Sequence, residues 1–142
     1  MGIIYNGLGQ RNDTSDIKNN YNGKTMIHIR GNTSKNFEKK SFTLETTDMA
    51  GVELNVSLLG MPPESDWVLT ASYADKSMMR NSLTYDLFRQ MGNYAPRTKD
   101  VELILNNEYR GIYALTEKPK RGDDRINVSK LEPNENSYPE IT

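Results

Sequence analysis

The sequence predicts an α+β domain, a mostly antiparallel sheet carrying one main amphipathic helix. Three observations predict it. Segments at Met26–Arg30 and Lys40–Glu45 alternate apolar and polar residues with the period of two expected of half-buried strands. Met79, Leu83, Leu87 and Met91 recur every four residues, and Phe88 widens the stripe, as on one face of a helix at about residues 76–91. Two further strand-like runs, Val101–Leu105 and Tyr109–Thr116, flank Asn106-Asn107-Glu108, and asparagine tolerates the positive φ of tight hairpin turns.

Composition bounds what such a domain can do. A chain of 142 residues fits one domain and buries roughly 68–70% of the surface its unfolded form exposes. With 18 Lys+Arg against 19 Asp+Glu, the net charge of −1 gives no bulk footprint for nucleic acid, and no RNP-like aromatic pattern accompanies the few clustered cations. Any charge-based function is therefore local. The absence of cysteine excludes disulfides, zinc-thiolate sites and a thiol nucleophile, and a single histidine, His28, excludes a multi-histidine metal site. No apolar run reaches the length of a membrane span, so no membrane insertion is expected, and MGIIYNGLGQRND lacks the basic and apolar regions of a signal peptide.

Residues 1–23 are rich in Asn, Gly and Asp and read as a poorly structured lead-in with a short strand at Ile3–Tyr5. Gly23-Lys24-Thr25 resembles the end of a phosphate loop, but the required first glycine falls on Lys18 and the tripeptide precedes a strand instead of following one. It is a plain turn. In the next strand Ile27 and Ile29 share one face, with Met26, His28 and Arg30 on the other. Gly31 supplies the positive φ of a sharp exit, and Asn32, Thr33 and Ser34 satisfy the turn. The chain returns through Lys39-Lys40-Ser41-Phe42-Thr43-Leu44-Glu45. Phe42 and Leu44 point inward, which puts Lys40 on their side. A lysine there snorkels or meets an anion, since an isolated buried ammonium is costly; the plainer reading is a lysine-protected edge strand.

Val52–Val56 reads as a short strand, Pro62-Pro63 ends any regular element, and Asp66–Ala71 is a buried strand with Trp67 in the core. Asp75 is placed to cap the helix, whose apolar stripe is expected to pack on the sheet. Gly111 marks a point where another group approaches the second hairpin strand closely. A charged segment, Lys120–Arg125, precedes a short strand at Ile126–Val128, and Leu131 is the last core candidate before a polar tail, 132–142.

Several collinear segments resemble the spore coat protein H (CotH) kinase family: IRGNTS at 29–34 with Phe37 and KKSF at 39–42, LLGMPPESDWVL at 58–69, YADKSMMRNSLTYDL at 73–87, APRT at 95–98, VELILNNEYRGIYALTEK at 101–118 and RINVSKL at 125–131. The resemblance covers about residues 24–131, which makes that stretch a CotH-like N-terminal lobe, an incomplete domain. It implies the N-terminal part of an atypical protein-kinase-like fold, with ATP held between two lobes and Mg²⁺ or Mn²⁺ on its phosphates. Family members phosphorylate serines of coat proteins, so the implied partner is a coat or surface protein and the implied location the spore coat or another extracytoplasmic site.

By that resemblance Arg30, Gly31, Asn32 and Ser34 lie near the nucleotide phosphates. Lys39 or Lys40 is the phosphate-binding lysine, with strand parity favouring Lys40. Glu117 orients a lysine or contacts the ribose or base. The chain carries no H-R-D-x-x-x-x-N or D-F-G stretch, and Asp123-Asp124 sits in a charged loop without metal-site context. This polypeptide alone is therefore expected to show little or no kinase activity. The alternative is a non-catalytic structural or interaction module of a coat or cell-surface protein. Either way, an uncovered sheet face is expected to favour self-association.

Overall fold

The computed structural model describes residues 1–130. Its centre is a five-stranded antiparallel sheet built from β3 (Lys24–Arg30), β4 (Ser41–Thr47), β5 (Asp66–Thr70), β6 (Thr98–Leu105) and β7 (Glu108–Glu117), in the order β3-β4-β5-β7-β6. One helix, α1 (Arg80–Gln90), lies between β5 and β6 in sequence, and a single 3-10 turn, Thr33–Asn36, joins β3 to β4. The class is α+β, with one helix and a mostly antiparallel sheet among the described residues.

The period of two sorts side chains as the sequence implies. Phe42, Leu44, Trp67, Leu69, Tyr113 and Leu115 come from the three central strands and form one buried face. Leu58 and Met61, from the β4–β5 connection, lie buried against it, and Val101, Leu103 and Leu105 of β6 extend it. Trp67 is fully buried and its indole N–H donates to the Glu64 carbonyl at 3.0 Å, which satisfies the one polar atom that burial would penalise. The expected strand at Val52–Val56 reduces to isolated bridges, Thr47 with Glu53 and Val56 with Glu64. That at Ile126–Val128 reduces to a bridge between Arg121 and Ile126. Leu131 and the tail lie outside the described residues.

The lead-in is more built than its composition suggests. Gly2–Ile3 and Tyr21–Asn22 pair as β1 and β2, and Ile3 and Tyr21 pack against the core. Asparagine side chains make this affordable in hydrogen bonds: Asn19 Oδ1 accepts from the Tyr5 N–H at 2.8 Å, and Asn20 Oδ1 accepts from the Leu59 N–H at 3.0 Å.

The helix departs most from expectation. It begins at Arg80, four residues late, because Met78 adopts φ +57°; Asp75 accepts from the N–H groups of Ser77 and Arg80, at 3.1 and 3.0 Å, from outside the helix. Its half-buried positions are Ser82, Tyr85 and Arg89, whereas Leu83, Leu87 and Met91 are 54%, 51% and 74% exposed. Periodicity locates the apolar stripe, but among the described residues nothing buries it on the sheet.

Candidate functional site

The β3–β4 connection is set by Gly31. Its φ of +111° suits glycine, and a Cβ there would collide with the Ser34 hydroxyl. The turn that follows closes with Lys35 N–H to Asn32 O at 3.2 Å and Phe37 N–H to Ser34 O at 3.3 Å, and Phe37 stacks on Tyr73 with ring centroids 5.0 Å apart. The loop is thereby pinned to the segment leaving β5.

This arrangement separates the two lysines. Lys40 lies just outside β4, which starts at Ser41, and its ammonium donates to the Lys35 carbonyl at 2.7 Å. Strand parity thus does not place it inward; it ties the 3-10 turn. Neither lysine protects an edge, because β4 lies inside the sheet between β3 and β5.

Lys39 instead reaches across the sheet. Its ammonium donates to the Ile112 carbonyl and stands 4.5 Å from the centroid of the Tyr113 ring. The register explains the reach. Phe42 pairs with Leu69 and Thr70 with Ala114, so Lys39 and Ile112 both flank the place that Ser72 would take had β5 continued. Instead β5 stops at Thr70 and Ser72 turns away at φ +47°. The lysine side chain occupies the vacated slot. Gly111, at φ +86° beside a bulge that leaves Arg110 unpaired in the ladder, lies under the ammonium, as the close-approach reading of this glycine expects.

Two clefts share Lys39. One, of about 300 Å³, is lined by Ser34, Ser41, Thr70, Asp75 and Asn81 among others; the second, of about 500 Å³, has an apolar floor that includes Ile29, Phe42 and Tyr113. Burial lowers the Lys39 pKa, and among the described residues no carboxylate pairs with it. An ammonium carries three donors, and one is used on Ile112. The site therefore presents a half-buried cation whose remaining capacity suits an anion.

The other candidates divide. Ser34 lines the smaller cleft with Lys39. Arg30 is exposed at the end of β3, and Asn32 serves the turn through its backbone. Glu117 is fully buried at the far end of β7, five residues and roughly 17 Å along the strand from Ile112. Its Oε1 accepts from Arg97 Nη1 at 2.8 Å and its Oε2 from the Arg97 N–H at 2.9 Å. Glu117 is thus committed to Arg97 and not brought to the lysine.

The sequence marks Asp75 only as a helix cap and gives no signal for Asn81; the fold brings both to the cleft that Lys39 lines. Asp75 is committed to the helix start, through Ser77, Arg80 and the Asp75–Arg80 ion pair. Sequence reasoning also missed a charged network at the opposite end of the sheet. There Lys118 and Lys120 bind Asp66 at 2.8 and 3.1 Å, Lys120 reaches Glu64 at 2.6 Å, and buried Arg125 lies over Trp67.

Nucleotide phosphates fit the free donors of Lys39 and the neighbouring hydroxyls. A metal is less well served, since no group of three or more His, Asp or Glu side chains that could hold an ion occurs among the described residues.

Residues 27–139 match the family model described as CotH kinase protein. The chain belongs to the CotH family. It is also similar to the inner spore coat protein H of Bacillus subtilis (strain 168), at 28% identity over 91 residues. That match covers 61% of this chain and 22% of the relative, so the chain spans under a quarter of the protein it matches. The matched CotH segment contains the Gly31 turn, Lys39 and the whole of α1, β6 and β7.

Proposed function

We propose that this chain is the nucleotide-facing part of a CotH-type atypical protein kinase, a transferase passing the γ-phosphoryl group of ATP to serine or threonine of a coat or surface protein. The carrying observation is Lys39, a half-buried ammonium with no carboxylate partner among the described residues, held over a glycine at the meeting of two clefts. Phosphoryl transfer spreads negative charge over equatorial oxygens, and a pre-positioned cation lowers its cost. Lys39 is the phosphate-binding lysine in this reading, and Ser34 and Asn81 orient the same group. ATP with Mg²⁺ or Mn²⁺ supplies the transferable phosphoryl group and the neutralising charge.

The sheet supports this reading. A helix follows the third of five antiparallel strands, and protein kinases carry their phosphate-binding lysine on the third strand, paired with a helix. Here that strand, DWVLT, has no lysine, and Lys39 reaches the slot beyond its end from the preceding connection. The spore coat is the proposed location, following the name of the Bacillus relative.

The test is thermal unfolding of the complete protein with ATP, with and without Mg²⁺. A rise in Tm that requires the metal and vanishes in Lys39→Ala is the expected result. No shift with ATP under either condition sinks the reading.

A further inference from the structure

The proposed phosphate site draws on Lys39 and the smaller cleft, and leaves the larger one, of about 500 Å³, without a role. The floor of that larger cleft lies on the core face of the sheet. Ile29 pairs with Phe42 across β3 and β4, Phe42 and Tyr113 belong to the buried cluster, and Leu105 packs against it. The Phe42 and Tyr113 rings have centroids 6.1 Å apart and are inclined at 36°. A cleft of this size with an apolar floor takes a ring or a short aliphatic body.

Three side chains with donor capacity to spare line it: Lys39, Arg110 and Tyr113. Lys39 stands 4.5 Å from the Tyr113 ring centroid and keeps two N–H groups after its bond to Ile112. Arg110 reaches the cleft from the bulge in β7; its ion pair with exposed Glu108 is solvated and holds it only weakly. Tyr113 is 2% exposed, yet its hydroxyl has no hydrogen-bond partner among the described residues. Burial pushes the pKa of that hydroxyl up, against the Arg110 charge, so it stays protonated and able to donate. A buried hydroxyl left unpaired is costly, and an acceptor seated in the cleft removes that cost.

We infer that the larger cleft binds a small organic acid, its apolar body on the Phe42–Leu105 floor and its single carboxylate held by Lys39, Arg110 and the Tyr113 hydroxyl. One anionic head suffices, because Lys40, also in the lining, is spent on the Lys35 carbonyl and Glu38 repels a second charge. A neutral nucleobase would leave the lining cations without a partner. The inference stands apart from the phosphate reading and meets it only at Lys39, the one residue that lines both clefts.

The probe is naphthoate, titrated into the 142-residue chain and followed by calorimetry and by NMR chemical shifts. Binding with a Kd under about 1 mM is expected, and the body alone (neutral naphthalenemethanol) and the head alone (acetate) should each bind at least about tenfold more weakly. Shift changes should centre on Ile29, Lys39, Leu105 and Tyr113. Tyr113→Phe, which removes only the hydroxyl, should weaken naphthoate about threefold to tenfold, and Arg110→Ala about tenfold. Leu83→Lys with Leu87→Lys should bind as the parent does. Absence of binding up to about 10 mM overturns the inference, as do an alcohol that binds as tightly as the acid and shifts centred on α1. In the complete protein, ATP that loses as much affinity in Arg110→Ala as naphthoate does assigns the cleft to the nucleotide and overturns it equally. The naphthoate titrations read out whether or not ATP binds, so failure of the phosphate reading is a separate result.

Discussion

The ammonium of Lys39 is hydrogen-bonded to the carbonyl of Ile112, 73 residues further along the chain, in the slot that β5 leaves empty. No local pattern announces that contact. It makes the two adjacent lysines unequal, and several measurable consequences follow from it and from the rest of the fold.

Lys39→Ala in the full-length protein should weaken binding of ATP with Mg²⁺ by about tenfold or more, the loss of one charge-assisted contact. Lys40→Ala, which frees only the Lys35 carbonyl, should stay within about twofold. Titration calorimetry separates the two. Because burial lowers the Lys39 pKa below its ordinary 10.5, affinity should fall as pH rises through that lowered value, and Lys39→Arg should abolish the fall.

Gly111→Ala should destabilise the chain by about 1–2 kcal/mol, the cost of holding an L-residue at positive φ. The added methyl itself meets only the Lys39 ammonium at 3.8 Å, an ordinary contact, so the backbone dominates. Thermal melts should show a loss of about 3–6 °C, read from the ellipticity of the sheet.

Acid should loosen the Trp67 end first. Burial alone pushes the Glu64 and Asp66 carboxyls up. Lys120 and the Ser65 N–H for Glu64, and Lys118 and Lys120 for Asp66, outweigh it and hold both below their ordinary 4.5 and 3.8. A depressed folded-state pKa gives stability that is fully present above the ordinary value and lost as pH falls through the folded one. Trp67 fluorescence should therefore be flat above about pH 5 and change below pH 4. Asp66→Asn should flatten part of that acid limb.

Leu83→Lys and Leu87→Lys should each cost under about 0.5 kcal/mol in this chain, since both residues are more than half exposed. Binding of a hydrophobic dye should fall in the same variants. A loss of several kcal/mol would show that the stripe is covered, as its periodicity first suggests.

Much of the fold was legible in sequence because its signals are local. Alternation located β3 and β4, and apolar or strand-like runs bounded by turn residues located β5, β6 and β7, to within a few residues; Asn106-Asn107, at φ +54° and +64°, forms the two-residue hairpin turn that their chemistry allows. Gly31 and Gly111 take the positive φ and the close approach that their positions imply. The resemblance to CotH sequences rested on the same kind of evidence, short collinear motifs, and the family match agrees with it.

What the sequence by itself determined is thus the α+β class, the strands, the turn residues and the family. Tertiary structure alone decided that β4 is an interior strand, that Lys39 and not Lys40 crosses to β7, that Glu117 belongs to Arg97, and that the helix stripe is left exposed among the described residues. The physical reason is one of range. Periodicity and turn propensity act over a few residues, whereas sheet order and the early end of β5 decide which groups from distant segments share a slot, and a single residue of register determines which lysine reaches it.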